Sequence, residues 1–460
     1  MTTPTPIIAQ KRMPPRYPLS LRDTLSISDF LGFLDGCTQK FPDITYFGLL
    51  NRYVYVLNHP LMIKYVLQEN YQNYHKGRAY QVLKLLLGNG LINSEGDFWK
   101  RQRRLAQPAF HRERLENLAQ LTANITLNML QDWKKKEGQV INFTQEMAKL
   151  TIEIVAKALF GAEVNDALIR QVWESVNFLN EAATVRIRNP IYPPLWIPTP
   201  LNAASKKHIE ILNSIVFGII QQRKQNPDIE KHDLLAMLMG AVDEESGEKM
   251  SDQQLRDEVM TIFIAGHETT VNALSWTQYL LCQHPVVAQE MANENRNLLQ
   301  GKAPSFAQTN QLQYTTNVIQ EAMRLYPPVI AVGRTAVAND HIGPYFIEKG
   351  TSVLINIWGM HRHPQYWQSP NDFKPDRFNE FVNKGDNRFI YLPFGGGPRI
   401  CIGNSFAMLE MQIINALLSQ FVEMELVSLQ VKPIAYITLK PEGGVHVKLK
   451  KVGNLIVEQN

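Results

Sequence analysis

The chain has 460 residues, of which 45% are hydrophobic and 20% charged, a composition typical of a globular protein with a large core. Its net charge of +4 is small for this length, so no basic surface for nucleic acid is indicated. Three cysteines and the lack of a secretory leader favour a reducing compartment, and we expect a soluble, cytoplasmic monomer.

The chain begins with a proline-rich segment that lacks a long apolar run. Residues 1–20 are predicted to form an extended arm without a transmembrane anchor. From Thr45 to Leu57, aromatic and β-branched residues predict a small sheet. From Gly96 to Tyr326, apolar residues recur at three- and four-residue spacing, so most of this region is predicted to be helical.

One proline-rich stretch interrupts the helices, and strand patterns return near the end. Residues 189–201 contain five prolines, which predicts a mobile apolar loop between two helices. Ser352 to Trp358 predicts a strand, and "AYITL" and "VHVKL", joined by "KPEGG", predict a hairpin. The predicted fold class is therefore mainly α with small β-sheets.

The segment "PFGGGPRICIG" concentrates glycines around one thiol. Gly395 and the two glycines after it allow a tight turn and leave room for a flat group beside the backbone. Cys401 precedes an amphipathic stretch and so lies near a predicted helix N-terminus, where free N–H groups favour a thiolate. Arg399 adds a positive charge suited to a carboxylate. A thiolate in this setting can ligate haem iron.

This segment resembles the haem-binding signature of the cytochrome P450 family, of the soluble bacterial type. Phenylalanine, two glycines, arginine, cysteine and glycine all stand in register between Phe394 and Gly403. The resemblance implies haem b with Cys401 as the axial ligand of the iron, and contacts from Phe394, Gly395, Arg399 and Gly403. A structural turn around an inert thiol is the alternative that this stretch leaves open.

The stretch "SDQQLRDEVMTIFIAGHETTVNALSW" predicts one long helix. Ser251 and Gln254 have the spacing of a capping box at its start. Gly266 weakens the helix near its middle, and the Thr269 hydroxyl can bond to the backbone there. From these residues alone, a tolerated kink with a solvent-facing Glu268 is the simpler interpretation.

The middle of this helix is similar to the distal-helix motif of the cytochrome P450 family. The resemblance implies that Ala265 and Gly266 border the haem and O2, and that Glu268 and Thr269 are catalytic residues that relay protons. His267 occupies the variable position of the motif, and no role is assigned to it.

A second set of polar residues is interpreted as structural. Glu321 and Arg324 are three residues apart on a helix that two prolines end, which is the right spacing for an ion pair. Such a pair is usually a weak surface contact. The family's Glu-x-x-Arg is followed in the same way, and the resemblance implies a buried triad completed by Arg377.

Basic residues suited to the haem propionates occur in three regions. Trp99 and Arg103 are four apart on one helical face, and the resemblance implies that they bind a propionate together with Arg399. Arg334 is a further candidate. The neighbouring Lys100, Arg101 and Arg104 form either a solvated basic face or a docking patch for an acidic electron donor.

The positions that line the substrate cavity in the family are apolar in this chain, which favours a lipophilic substrate such as a fatty acid, terpenoid or carotenoid. We also hypothesise that the proline-rich loop makes peripheral membrane contact. The predicted lining residues are Leu85, Leu86, Leu87, Ile262, Ala265, Val329, Ile330, Ala331, Val332 and Ile437.

The predicted function is a haem-thiolate monooxygenase that inserts one oxygen atom from O2 into this substrate. Because the motifs span most of the chain, residues 21–460 are predicted to be one domain, although length alone suggests about three. About sixty residues follow Cys401, too few for a flavin domain, so electrons are expected from a ferredoxin or flavodoxin with an NAD(P)H-dependent reductase. The alternatives are a peroxygenase or isomerase, and a non-catalytic haem sensor.

Overall fold

The computed structural model describes residues 12–19, 29–49, 52–110, 112–161, 166–188, 192–225, 233–381 and 385–453. The contacts divide the chain into two compact units. The sheet unit comprises residues 1–78, 331–370 and 383–400, and the helix unit comprises residues 79–330, 371–382 and 401–460. The prediction of a single domain stays a prediction.

Among the described residues, helices dominate the middle of the chain and short strands lie mainly near its two ends. The helices are α1 (Phe30–Lys40), α2 (Pro60–Lys64), α3 (Arg78–Leu87), α4 (Gly96–Ala106), α5 (Arg112–Lys134), α6 (Phe143–Phe160), α7 (Asp166–Arg188), α8 (Pro200–Gln225), α9 (Leu234–Gly240), α10 (Asp252–Gln283), α11 (Pro285–Leu299), α12 (Phe306–Thr309), α13 (Gln313–Leu325), α14 (Ile357–Met360), α15 (Arg377–Glu380) and α16 (Asn404–Phe421). The strands are β1 (Ile44–Leu49), β2 (Arg52–Leu57), β3 (Tyr74–Lys76), β4 (Val140–Asn142), β5 (Ala331–Ala336), β6 (Asp340–Ile342), β7 (Tyr345–Ile347), β8 (Ser352–Asn356), β9 (Val422–Leu426), β10 (Pro433–Ala435), β11 (Leu439–Pro441) and β12 (His446–Val452). The predicted fold class, mainly α with small sheets, is confirmed.

The sheet unit is built on a five-stranded sheet of order β1-β2-β8-β5-β3. β1 and β2 are antiparallel, with Tyr46 opposite Tyr55, which confirms the sheet predicted for Thr45 to Leu57. Most of the predicted N-terminal arm lies outside the described residues. Within residues 12–19, Arg16 forms a β-bridge with Tyr46, so this part of the arm extends along β1.

One predicted strand is shorter than its sequence pattern suggests. β8 ends at Asn356, and Ile357 and Trp358 begin α14. The Asn356 Oδ1 atom accepts a hydrogen bond from the Gly359 N–H at 2.9 Å, which caps this helix. The capping side chain outweighs the strand preference of the two apolar residues that follow it.

The helix unit contains a large apolar core between its long helices. Buried residues from seven helices of the unit meet there, including Leu86, Leu159, Ile220, Leu235 and Val259. This burial confirms the helical pattern predicted between Gly96 and Tyr326. No helix among the described residues is both long and apolar enough to cross a membrane.

The C-terminal strands pair differently from the predicted hairpin. β10 pairs with β11, with Ile434 opposite Lys440. β12 pairs instead with β4 and β9 in a separate three-stranded sheet. The "AYITL" and "VHVKL" segments are therefore not partners. β12 pairs with β4, which is distant in sequence, and with β9, and it does not form the predicted hairpin with the preceding strand.

The proline-rich segment is irregular where it is described, as its prolines predict. Residues 192–199 contain no helix, and α8 begins at Pro200. The Asn202 Nδ2 atom donates hydrogen bonds to the carbonyl oxygens of Pro194 and Ile197 at 2.9 and 2.8 Å. One buried amide therefore fixes the backbone of this loop from the start of the next helix.

Candidate functional site

The glycine-rich turn before Cys401 belongs to the sheet unit, and its shape requires glycine. Gly395 and Gly397 have φ values of +74° and +66°, which side chains other than glycine rarely adopt. A Cβ atom at Gly397 would lie 1.9 Å from the Leu67 carbonyl oxygen. Phe394 and Arg399, which flank these glycines, are half-buried. The turn is therefore packed closely against backbone, as the glycine density suggested.

Arg334, the weaker propionate candidate, also lies in the sheet unit. It is in the middle of β5, opposite Val353 of β8, and its side chain is buried. Its Nη1 atom donates to the Gly333 carbonyl oxygen at 2.9 Å. The structure thus holds the guanidinium close to the strand, and a propionate contact stays a prediction.

Cys401 lies in the helix unit and presents a free thiol to solvent. Gly403, two residues later, precedes the first residue of α16, so the thiol is close to the helix N-terminus as predicted. Surrounding protein atoms raise the pKa of the thiol above its usual value, and the Gly403 N–H and the charge of Arg103 offset only part of this effect. An accessible cysteine with an N–H donor and a guanidinium nearby fits a thiolate ligand of haem iron.

Trp99 and Arg103 lie on α4, one turn apart. Trp99 is buried, whereas Arg103 is half-buried and its Nε atom donates to Gln107 Oε1 at 3.3 Å. Burial lowers the pKa of Arg103, and the nearby Cys401 sulfur opposes this effect. The helix therefore brings a guanidinium toward the thiol, where it could also bind a propionate.

The distal helix is α10, and it runs from Asp252 to Gln283 without a break. Ser251 and Gln254 form the predicted capping box, with both hydrogen bonds present. The Thr269 hydroxyl donates to the Ala265 carbonyl oxygen at 2.7 Å, as the sequence suggested. A Cβ atom at Gly266 would lie 3.3 Å from Val155 of α6, so a larger residue would press on the neighbouring helix.

Glu268 is buried, so the interpretation of a solvent-facing carboxylate is wrong. Its Oε2 atom accepts a hydrogen bond from Asn180 Nδ2 at 2.6 Å. Its Oε1 atom accepts one from the Thr438 hydroxyl at 3.0 Å and lies 2.6 Å from Lys440 Nζ. Three elements, α7, α10 and the C-terminal β10–β11 region, therefore converge on this carboxylate.

Sequence reasoning missed all three of these partners. None of Asn180, Thr438 and Lys440 was predicted to contact Glu268. Asn180 and Thr438 are 88 and 170 residues from Glu268 in sequence, so no local pattern connects them.

His267 is a buried residue with one polar partner. Its Nδ1 atom lies 2.8 Å from the Thr151 hydroxyl of α6. Burial, and to a smaller extent the charge of Lys440, lower the pKa of His267 to about 3. The imidazole is therefore neutral at physiological pH and contributes packing and one hydrogen bond.

The structure brings Glu321, Arg324 and Arg377 together. Arg324 Nε and Nη2 contact the two carboxylate oxygens of Glu321 at 2.6 and 2.8 Å. Arg377 Nε contacts Glu321 Oε1 at 2.9 Å, and the Lys374 N–H donates to the same oxygen. Glu321 and Arg324 are fully buried. The geometry is that of a bidentate buried pair with a second arginine.

The basic residues beside Arg103 are paired with carboxylates, and Lys100 and Arg104 are also partly exposed to solvent. Arg104 Nη2 lies 3.0 Å from Asp243 Oδ1, and Arg101 Nη2 lies 3.1 Å from Glu248 Oε2. Lys100 pairs with Asp97 on its own helix. Their charges are largely neutralised, so this group is a poor docking patch for an acidic protein.

The predicted substrate-lining residues differ in their surroundings. Leu85 and Leu86 line a small, mostly apolar cavity of about 10 Å³ in the helix unit. Leu87 belongs to the buried core, and Ile330 is also buried. The remaining predicted lining residues are half-buried: Ile262, Ala265, Val329, Ala331, Val332 and Ile437.

Comparison with known proteins identifies the family. The cytochrome P450 family model matches residues 25–449. The chain is 33% identical to cyclooctatin synthase of Streptomyces melanosporofaciens, over 80% of each chain. It is 31% identical to putative cytochrome P450 132 of Mycobacterium tuberculosis over 91% of each chain. It is also 31% identical to LUTEIN DEFICIENT 5 of Arabidopsis thaliana, over 79% of this chain and 64% of that protein.

These matches cover the glycine-rich turn, the distal helix and the triad described above. The family implies a haem-thiolate cofactor, and the accessible thiol of Cys401 beside Gly403 and Arg103 is compatible with it. The chain therefore belongs to the cytochrome P450 family and is a monooxygenase of that family.

Proposed function

We propose that this monooxygenase binds haem b through the Cys401 thiolate and hydroxylates a lipophilic small molecule. The observation that carries the proposal is the environment of Cys401, a free and accessible thiol with the Gly403 N–H and the Arg103 charge beside it. When bound, haem would supply the activation of O2, with the thiolate donating electron density to the iron.

Trp99, Arg103, Arg334 and Arg399 are the proposed propionate-binding residues. The support for this assignment is their match to the family pattern together with the position of Arg103 near the thiol. A guanidinium suits this role because its planar donors match a carboxylate. Ala265, Gly266, Phe394, Gly395 and Gly403 would border the porphyrin, where small or flat groups leave space for it.

Glu268 and Thr269 are the proposed proton-transfer residues. In the structure the Thr269 hydroxyl donates a hydrogen bond to the Ala265 carbonyl oxygen. The lone pairs of the hydroxyl oxygen therefore remain able to accept a hydrogen bond from a water or a bound ligand. Glu268 is held by Asn180, Thr438 and Lys440, and Lys440 is partly exposed. This arrangement supports a proton route that enters at Lys440 and passes through the Glu268 carboxylate.

The proposed substrate class is a fatty acid, terpenoid or carotenoid, and the apolar character of the predicted lining residues, such as Leu85, Leu86 and Ile262, supports a lipophilic ligand. The proposed electron donors are a ferredoxin or flavodoxin and an NAD(P)H-dependent reductase. Because Arg101 and Arg104 are paired with carboxylates, we expect the donor to bind elsewhere. A ligand library scored by the shift of the haem Soret band would identify the substrate.

Substitution of the proposed ligand tests the assignment directly. We expect Cys401→Ser to abolish the shifted absorbance of the reduced carbon monoxide complex, whereas Cys282→Ser should retain it because that thiol is half-buried and already hydrogen-bonded to Gln278 and the Met424 carbonyl. Survival of the band in Cys401→Ser would show that another residue ligates the iron.

Turnover conditions separate the alternative functions. A monooxygenase requires NAD(P)H, the electron donors and O2, whereas a peroxygenase or isomerase turns over without the donors. A haem sensor would show ligand binding without any product. Thr269→Ala should lower product formation per NAD(P)H consumed, and an unchanged ratio would argue against the proposed proton route.

A further inference from the structure

A π-turn follows α2 in the sheet unit. Tyr65–Glu69 forms this turn directly after the last residue of α2, and the Asn70 N–H donates to the Tyr65 carbonyl oxygen at 2.8 Å. Such a bond encloses one residue more than the bond of an α-helix, and single π-turns are rare and frequently occur at functional sites. Val66 and Leu67, inside the turn, are buried. Because the π-turn is less common than the α-turn, we expect contacts outside the helix to hold it in place.

The backbone of the π-turn lies directly against the glycine-rich turn. A Cβ atom at Gly397 would lie 1.9 Å from the Leu67 carbonyl oxygen, 2.6 Å from the Leu67 carbonyl carbon and 3.2 Å from Gln68 Cα. Gly397 is the first residue of a short 3-10 turn that ends at Arg399, two residues before Cys401. The position of the Leu67 carbonyl therefore limits where the backbone that leads to Cys401 can lie.

One carboxylate, that of Asp340 in β6, holds both ends of the π-turn. The Tyr65 hydroxyl donates to Asp340 Oδ1 at 2.9 Å, and Asn70 Nδ2 donates to Asp340 Oδ2 at 2.9 Å. Asn70 Nδ2 also donates to the Tyr65 hydroxyl at 3.0 Å, and the Tyr74 hydroxyl of β3 donates to Asp340 Oδ2 at 2.7 Å. Tyr65 and Asn70 are the two residues that the π-type backbone bond joins. We call Asp340, Tyr65, Asn70 and Tyr74 the Asp340 clamp.

The clamp is built around a charged group. Burial opposes ionisation of Asp340, but hydrogen bonds from the Tyr74 hydroxyl, the His341 N–H and the Tyr65 hydroxyl outweigh this effect and hold the pKa of Asp340 below its usual range. Hydrogen bonds to an ionised acceptor are about twice as strong as those between neutral groups. The clamp therefore holds the π-turn more firmly than packing and neutral contacts alone.

We infer that the Asp340 clamp positions the turn that leads to the iron ligand, because it fixes the π-turn whose Leu67 carbonyl abuts Gly397. This inference rests on the proposed function, since the position of the turn affects haem only if Cys401 binds the iron. The clamp residues act through the backbone of the π-turn and are positioning residues. Loss of the clamp should therefore weaken haem retention and thiolate ligation beyond any loss of stability.

A general contribution of the clamp to the stability of the sheet unit is the competing explanation. The buried amide of Asn58 offers a matched control in the same unit. Its Oδ1 atom accepts from Asn356 Nδ2 at 2.9 Å, and its Nδ2 atom donates to the Phe41 carbonyl oxygen at 3.0 Å. None of the hydrogen bonds described for Asn58 involves the π-turn or the glycine-rich turn. Asn58→Ala therefore lowers stability without loosening the clamp.

The test is the rate at which the purified, haem-loaded protein loses haem to an excess of apomyoglobin. We expect Tyr65→Phe to lose haem at least about fivefold faster than the wild type, since it removes a hydrogen bond to a carboxylate. Asp340→Ala should lose haem faster still, and Asp340→Asn, which keeps one acceptor oxygen, should fall between Asp340→Ala and the wild type. The fraction of the reduced carbon monoxide complex with the shifted absorbance should decrease in the same order. Asn58→Ala should lower the melting temperature at least as much as Tyr65→Phe, but it should leave haem loss within about twofold of the wild type.

Two outcomes would overturn the inference: unchanged haem loss in both Tyr65→Phe and Asp340→Asn, or haem loss in Asn58→Ala as fast as in the clamp variants at equal stability. The two milder clamp variants decide the question if Asp340→Ala does not fold. Failure of the proposed function gives a different result, because a wild type without the shifted carbon monoxide band would reject thiolate ligation itself. A wild type that has this band, but whose haem retention does not respond to the clamp, would reject only the positioning role.

Discussion

Lys440 Nζ lies 2.6 Å from Glu268 Oε1, so a cation from the C-terminal strand β11 neutralises the carboxylate at the centre of the distal helix. Glu268 is buried, whereas the Lys440 side chain is 30% exposed. The cation that pairs with Glu268, the proposed proton-transfer residue, is therefore supplied by β11, which follows Cys401 in the sequence.

A double-mutant cycle measures this ion pair. We expect Lys440→Met and Glu268→Gln to show a coupling free energy of about 1–2 kcal/mol, since one partner is buried and the other is partly screened by solvent. Chemical denaturation of the four proteins would give this value. The exposed pair Lys450–Glu425, treated in the same way, should couple more weakly. Equal coupling in both pairs would contradict the expected effect of burial.

The buried triad should be essential for stability. Arg324→Met leaves the Glu321 carboxylate buried with a single arginine, and we expect a loss of about 3–5 kcal/mol in the free energy of unfolding. Arg296→Met, at an exposed position on α11, should change the free energy by less than about 0.5 kcal/mol. The denaturation midpoints of both variants provide the comparison. A mild effect of Arg324→Met would show that Arg377 alone satisfies the carboxylate.

Glu258 should make stability depend on pH. The pKa of this carboxyl is raised to about 8, chiefly by burial and to a smaller extent by the neighbouring Asp257, although the Leu91 N–H that donates to it acts in the opposite direction. From pH about 4.5 to about 8 the folded protein therefore holds a proton that the unfolded chain releases, so this contribution to stability falls as pH rises.

Glu258→Gln mimics the protonated side chain and keeps an oxygen to accept from Leu91. We expect the variant to melt at a higher temperature than the wild type at pH 8, and at a similar temperature at pH 4.5. Glu442→Gln is a control at an exposed position and should behave as the wild type at both pH values. An unchanged pH dependence in Glu258→Gln would mean that another group titrates in this range.

The glycine-rich turn should tolerate no side chain at Gly397. Gly397 and Gly350 both have positive φ, so alanine strains the backbone at either position. Only at Gly397 would the new Cβ meet the Leu67 carbonyl oxygen, and we expect Gly397→Ala to cost about 1–3 kcal/mol more than Gly350→Ala. Melting temperature and haem content would both report the difference. Similar losses of stability in the two variants would mean that the destabilisation comes from backbone strain alone and that the contact with Leu67 adds nothing.

The proline-rich loop carries a test of membrane contact. The Trp196 side chain is 76% exposed, and an exposed indole is suited to the membrane interface. We expect Trp196→Ser to reduce sedimentation of the protein with liposomes. Val286→Ser removes a comparably exposed apolar side chain, 79%, from the start of α11 and should have no effect. Unchanged sedimentation of Trp196→Ser would exclude contact through this residue.

Features that depend on neighbouring residues could be predicted from the sequence. The capping box at Ser251, the Glu321–Arg324 spacing on one helical face and the helix that follows Cys401 all arise within a few residues. Helical periodicity and capping chemistry determine such features locally. The resemblance then supplied the functional roles, which no spacing rule could give.

Features that depend on distant residues could not be predicted. The carboxylate of Glu268 meets Lys440, and the guanidinium of Arg104 meets Asp243, only because separate elements pack together. The same reason explains the C-terminal strands, where β12 pairs with β4 and not with its neighbour in sequence. A single strand pattern indicates that a strand forms, but not which partner it takes.

The buried imidazole of the distal helix has a consequence for how the enzyme responds to acidity. Because the pKa of His267 is lowered to about 3, this ring is uncharged throughout the neutral pH range. A modest fall in pH would therefore not add a positive charge at His267. Any change of turnover across the neutral range must originate in other groups, and a neutral replacement such as His267→Gln should leave the pH profile of the rate the same shape.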